Sequence, residues 1–152
     1  MADNIICNPT IEQIVDPDLQ NFFQFWLKMK NEHTWPQRKD FHPAEITPHL
    51  PYVVMHDYEQ STKRYKVRIQ GTAIVNSTGA ELTGTYIDDF PNSKAMIERF
   101  NLIVNNKTPY LIHETDMEWA DRNYKRYSTV GCPLFDDDQN VNMLIFRLKL
   151  ID

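Results

Sequence analysis

Apolar positions along this chain change period several times, and each change marks an element. From Asp16, "DPDLQNFFQFWLKMKN" places Leu19, Phe22, Phe23, Trp26 and Met29 at spacings of three and four, one face of a helix. Asp16 followed by Pro17 supplies a capping side chain and a proline in the first turn, where its missing N–H costs nothing. Phe25 and Leu27 fall outside that stripe, so the apolar arc is wider than a single docking face requires. Residues 1–15 carry no comparable pattern and read as a flexible arm. "TWPQRKDFHPAEITPHLP" holds four of the nine prolines and predicts a rigid connector with one helical turn over Ala44 to His49.

Period-two segments follow. "YVVMHDYE" and "RYKVRIQ" flank the polar "QSTK" as a hairpin, with Tyr65, Val67 and Ile69 alternating against charged neighbours. "TAIVNSTG" predicts a short helix capped by Thr72 and closed by a left-handed Gly79. "NSKAMIERFNLIVNN" predicts a long helix with Met96, Ile97, Phe100, Ile103 and Val104 on one side. "YLIHETDMEW", "YKRYSTVGCPLF" and "VNMLIFRLKLI" are strands, the last two joined by the tight turn "DDDQN". This order predicts an α+β fold: a five-stranded antiparallel sheet with short helices and one long helix inserted between its halves, and an N-terminal helix capping it. Residues 16–152 form one domain in this reading.

Composition narrows the function classes. A hydrophobic fraction of 41% with 12% aromatics suits a chain that buries a real core. The formal charge of −5 argues against a nucleic-acid surface, which needs clustered Lys and Arg. The N-terminus shows neither a basic nor an apolar leader segment, and no window approaches a transmembrane run, so a cytoplasmic protein is expected. Cys7 and Cys132 are far apart and read as reduced thiols, Cys132 as a buried structural one.

Three of the four glycines crowd into "RYKVRIQGTAIVNSTGAELTG". The spacing matches no phosphate loop, and no Gly-Lys-Ser/Thr occurs. Gly71 is expected to end a strand, Gly79 to close a helix and Gly84 to allow a reversal. With that segment, "WPQRKDFHP" (Trp35 to Pro43), "LPYV" (Leu50 to Val53), "PLFDDD" and "VNMLI", the chain resembles the PAS domain superfamily, and within it a family of short, single-domain bacterial PAS-like proteins. It departs from that family at His42, where an acid is usual, and at Asp138-Gln139, where a glycine follows the aspartates. The resemblance implies a sensory or regulatory module that binds a small molecule, a partner protein or both, without catalysis. Haem-binding relatives usually take a histidine from the long helix, and Ser93 to Asn106 contains none. Flavin photosensors carry an Asn-Cys-Arg-type motif that this chain lacks. Haem and flavin are therefore disfavoured.

The architecture implied by the resemblance suggests a pocket between the sheet and the long helix. Its candidate lining is Met96, Phe100, His113, Trp119, Tyr127 and Thr129, and plain core packing is the competing account of the same side chains. The wide arc of the first helix predicts a homodimer through Phe22, Phe25, Trp26 and Leu27, the alternative being that the proline-rich connector folds back over Phe25 and Leu27. The acidic strand residues Glu114, Asp116 and Glu118 are expected to pair across the sheet with Arg64, Lys66 and Arg68. The rivals are a constitutive dimeric protein-interaction adaptor with no ligand and, from another class, a small enzyme using His113 with Glu114 or Asp116. His42, His49 and His56 recur every seven residues but share no helix face, so no metal site is expected. With no output segment of its own, the chain would signal to a separate protein or through self-association.

Overall fold

The computed structural model describes residues 4–117 and 125–151. In chain order these form β1 (Ile5–Cys7), α1 (Pro17–Glu32), β2 (Val53–Glu59), β3 (Arg64–Gln70), α2 (Thr72–Thr78), α3 (Lys94–Asn106), β4 (Tyr110–Asp116), β5 (Arg126–Phe135) and β6 (Val141–Ile151), with short 3-10 turns between them. The strands make one antiparallel sheet in the order β1-β4-β5-β6-β2-β3.

The sheet is covered on both faces, which explains its central strands. β5 is buried from Tyr127 to Phe135 without interruption, and β6 nearly so. Continuous apolar runs such as "VNMLIFRLKLI" belong to strands with no solvated side. On the inner face, Val54, Tyr65, Val67, Leu144 and Phe146 meet Ile74 of α2 and Phe100 and Ile103 of α3. On the outer face, Val53, Met55, Val130, Cys132 and Ile145 meet Phe22, Phe23 and Trp26 of α1. The α1 cap forms as the sequence predicts: Asp16 Oδ1 accepts from the backbone N–H groups of Asp18 and Leu19 at 3.0 Å each.

The amino-terminal residues correct two expectations. The sheet has six strands, not five, because Ile5–Cys7 pairs with β4 in the register Ile5↔Ile112 and Cys7↔Tyr110. From Asn4 on, the arm is tied down rather than free. Asn4 Nδ2 donates to the carbonyls of His113 and Glu114 at 2.9 and 2.8 Å, and Ile14 is 1% exposed. Three residues are too few to show a period, and their pairing is to a strand more than a hundred positions away.

The glycine segment behaves as packed turns. Gly79 and Gly84 have φ of 74° and 88°, the left-handed region that favours glycine. Gly71 is needed for another reason: a Cβ there would lie 2.2 Å from the Pro51 carbonyl oxygen, so the connector backbone passes directly over it. Gly71, and not Thr72, occupies the α2 cap position.

Candidate functional site

Between the inner face and the helices lies a cavity of about 50 Å³. Met96 and Phe100 reach it from α3, Ile74 from α2, and Tyr127 and Thr129 from β5. Val54 and His56 contribute from β2, Tyr110 from β4, and Phe146 and Leu148 from β6. Four residues of the predicted lining, Met96, Phe100, Tyr127 and Thr129, are thus brought together.

His113 is not among them. Tyr110 and Ile112 face inward, so the next residue belongs to the outer face. A bulge then sets Ile112 opposite Thr129 but Thr115 opposite Tyr127, with Glu114 at φ 55°. The extra residue reverses the phase, and Met117 returns to the inner core. His113 and Glu114 are exposed and line an open groove with Val15, Leu150 and Ile151. Trp119 lies outside the described residues, as does Glu118.

The acidic strand also finds different partners. β5, β6 and β2 lie between β4 and β3, so Arg64, Lys66 and Arg68 cannot reach it. Arg126 on neighbouring β5 pairs with Glu114 at 3.8 Å and Asp116 at 3.5 Å. Arg64 instead grips Asp88 at 3.0 Å, and Arg68 pairs with Asp57 at 3.3 Å. The Arg126 and Arg68 pairs are ordinary cross-strand surface ion pairs, and Arg64 reaches a 3-10 turn over Ile87–Asp89.

His56 is the residue that sequence reasoning set aside. It is 5% exposed, and its ring packs against Phe100 and Phe146 with centroids 4.8 and 5.4 Å away. Burial pushes its pKa down from 6.5 to about 3, so the imidazole is neutral. Nδ1 is fully buried and has no hydrogen-bond partner among the described residues. A signal did exist in the sequence. Val54 and His56 share a strand face, and Val54 is apolar. The other polar groups around the cavity are committed. Thr129 Oγ1 donates to the Arg147 carbonyl at 2.8 Å. Gln70 Oε1 accepts from the Leu82 N–H at 2.7 Å, and its Nε2 donates to the Ala80 carbonyl at 3.2 Å. The Tyr110 hydroxyl is hydrogen-bonded with Arg99, and burial raises its pKa.

Behind the sheet, a different polar group is buried. Arg147 of β6 is 4% exposed. Its Nε donates to His49 Nδ1 at 3.2 Å, its Nη2 approaches Asp18 Oδ2 at 3.7 Å, and its guanidinium lies 4.5 Å from the centre of the Tyr52 ring. That places the His49 proton on Nε2, which donates to Asn21 Oδ1 at 2.8 Å. Burial, then the Arg147 charge, lowers the His49 pKa. His49 and His56 therefore sit on opposite faces of the sheet, and His42 is exposed. Among the described residues no group of His, Cys, Asp and Glu converges as metal ligands.

The dimer reading loses its central residues. Phe22 and Trp26 are each 1% exposed, packed on the chain's own sheet, and Trp26 Nε1 donates to the Pro133 carbonyl at 3.0 Å. Phe25 is half-buried edge-on to Phe41, with ring centroids 5.8 Å apart, because the proline-rich connector folds back over this flank of α1. Leu27 is half-buried in the same cluster. Cys132 is buried, and burial raises its thiol pKa well above the ordinary value, which suits a structural thiol.

A sheet enclosing a cavity with α2 and α3 defines the class, and a family comparison agrees. A model of the PAS domain family matches residues 15–140, and the chain belongs to that family. PAS domains are, as a class, sensory and regulatory modules. No curated protein matches the chain. A solved structure of an RNA-binding Light-Oxygen-Voltage receptor is similar over 71% of this chain and 32% of its own length, with 12% identity and a TM-score of 0.48. No helix among the described residues is long and apolar enough to cross a membrane.

Proposed function

We propose that this chain is a cytoplasmic, non-catalytic PAS sensory module that takes a small molecule into the cavity under α3. It passes the change to a separate protein or to its own self-association. The observation that carries this reading is the cavity itself, lined by α2, α3 and five strands in the region where a PAS fold leaves space. Its volume supports a small ligand. An engineered cavity of about 150 Å³ holds one benzene, so haem or flavin would require this one to expand many-fold. Against the enzyme reading, His113 is exposed and both Glu114 and Asp116 are ion-paired to Arg126. The negative net charge supports a partner other than nucleic acid.

Native mass spectrometry of freshly purified protein tests the reading, because it reports subunit number and retained molecules together. Titration with small probes while following the Ile74 and Met96 methyl resonances covers a ligand lost in purification. A retained or saturably bound small molecule supports the sensor. If neither is seen, a constitutive interaction adaptor with a filled core replaces it.

A further inference from the structure

Every buried polar group should find a partner or a reason for lacking one. Around the cavity, Thr129, Gln70 and Tyr110 have partners. The Nδ1 of His56 does not, although each nitrogen of a neutral imidazole is either an N–H donor or a lone-pair acceptor. Its remaining surroundings are hydrocarbon and aromatic: Val54, Ile74, Phe100 and Phe146.

Water fits this arrangement poorly. A buried water is held by two to four polar partners, and the walls have their polar atoms committed apart from His56. A wholly apolar guest would fill the volume but leave the imidazole unpaired. A charged guest would meet no opposing charge on the lining and would lose its hydration. The remaining class is an uncharged molecule with a small apolar body and one hydrogen-bonding group. A volume of about 50 Å³ accommodates about four atoms of water-oxygen size. Short alcohols, ketones and primary amides have that size and chemistry.

Building on the sensor reading above, we infer that the cavity is a site for a small uncharged ligand whose single polar group hydrogen-bonds the His56 imidazole. His56 selects the ligand by leaving a mismatch that only such a molecule resolves. A hydrogen-bonding site discriminates strongly against an analogue that lacks the bonding group.

The test uses 2-propanol as hydrogen-bonding probe and xenon as an apolar probe of comparable size. Protein with ¹⁵N-labelled histidine reports the His56 ring nitrogens, and methyl resonances of Ile74 and Met96 report entry. The expected result is saturable entry of both probes, with a His56 nitrogen shift for 2-propanol only. In His56→Leu, 2-propanol affinity should fall at least fivefold while xenon still enters. Equal 2-propanol affinity in the variant overturns the inference. So does entry of the alcohol without a His56 nitrogen shift in the wild type, a readout that stands even if the variant fails to fold. If neither probe enters the wild type, the small-molecule reading itself fails, and this inference with it.

Discussion

Each face of the sheet buries a basic side chain, and the two are treated in opposite ways. On the outer face Arg147 is enclosed by His49, Asp18 and Tyr52, all held by α1 and the connector. Around it the core is filled by Phe22, Phe23 and Trp26. On the inner face His56 has aromatic rings for neighbours, no partner, and a void beside it. A buried charge is tolerated when its bonds are made. An unpaired buried polar atom beside space is a standing cost, and such costs concentrate where a protein acts. The outer face is filled and bonded around α1, and the inner face keeps a small void beside an unpaired imidazole.

Substituting the two cores should break this contrast if it is wrong. Trp26→Ala removes a ring in full contact and its bond to the Pro133 carbonyl. Chemical denaturation should record a loss of about 5 kcal/mol. Phe100→Ala should cost less, about 3 kcal/mol, because that ring already borders empty space and has fewer contacts to lose. A greater loss at Phe100 than at Trp26 would mean the inner face is the tighter of the two.

Acid sharpens the comparison next. His56 has a folded pKa of about 3 against 6.5 in the unfolded chain, so the unfolded state binds the proton first. Stability is therefore full above pH 6.5 and falls as pH drops toward 3. Between pH 6.5 and 5 the loss should be about 2 kcal/mol, with His49 adding in the same direction. Carboxylates with lowered pKa, such as Asp18 and Asp136, act below this window. The titratable groups near His56 are Tyr110 and Tyr127, with Arg99 at the Tyr110 hydroxyl. In His56→Leu most of the pH 6.5-to-5 loss should vanish. If the slope persists unchanged, His56 is not the buried neutral group.

At pH 7.5 the same variant should be more stable than the wild type by about 1 kcal/mol, since it deletes an unpaired buried polar group. A loss above about 1.5 kcal/mol would point to a partner for the imidazole. The smallest effect belongs to the flank of α1. Phe25→Ser with Leu27→Ser should cost about 1 kcal/mol and leave the sedimentation coefficient unchanged, because the connector already covers that flank. A shift from dimer to monomer would restore α1 as an interface.

Much of this was legible along the chain. Helix periods, the Asp16-Pro17 start, the Gly79 stop and the continuous apolar run of β6 are local signals, set by backbone sterics and by which side chains avoid water. They were enough to order the elements; it was the resemblance to PAS domains that implied Met96, Phe100, Tyr127 and Thr129 as neighbours of one space. What the sequence by itself did not determine depends on contacts between distant positions. The pairing of Ile5–Cys7 with β4 follows from an open sheet edge. The bulge at Glu114 returns Met117 to the inner core while His113 stays on the outer face, separating two residues that simple alternation places together. The connector's return over Phe25, which the sequence left as one of two alternatives, removes a surface that the helix alone offers. The isolation of His56 was decided last, because a missing hydrogen bond is a property of everything around a residue. Periodicity records which side of an element avoids water; only the packed chain settles whether a polar atom there is left without a partner.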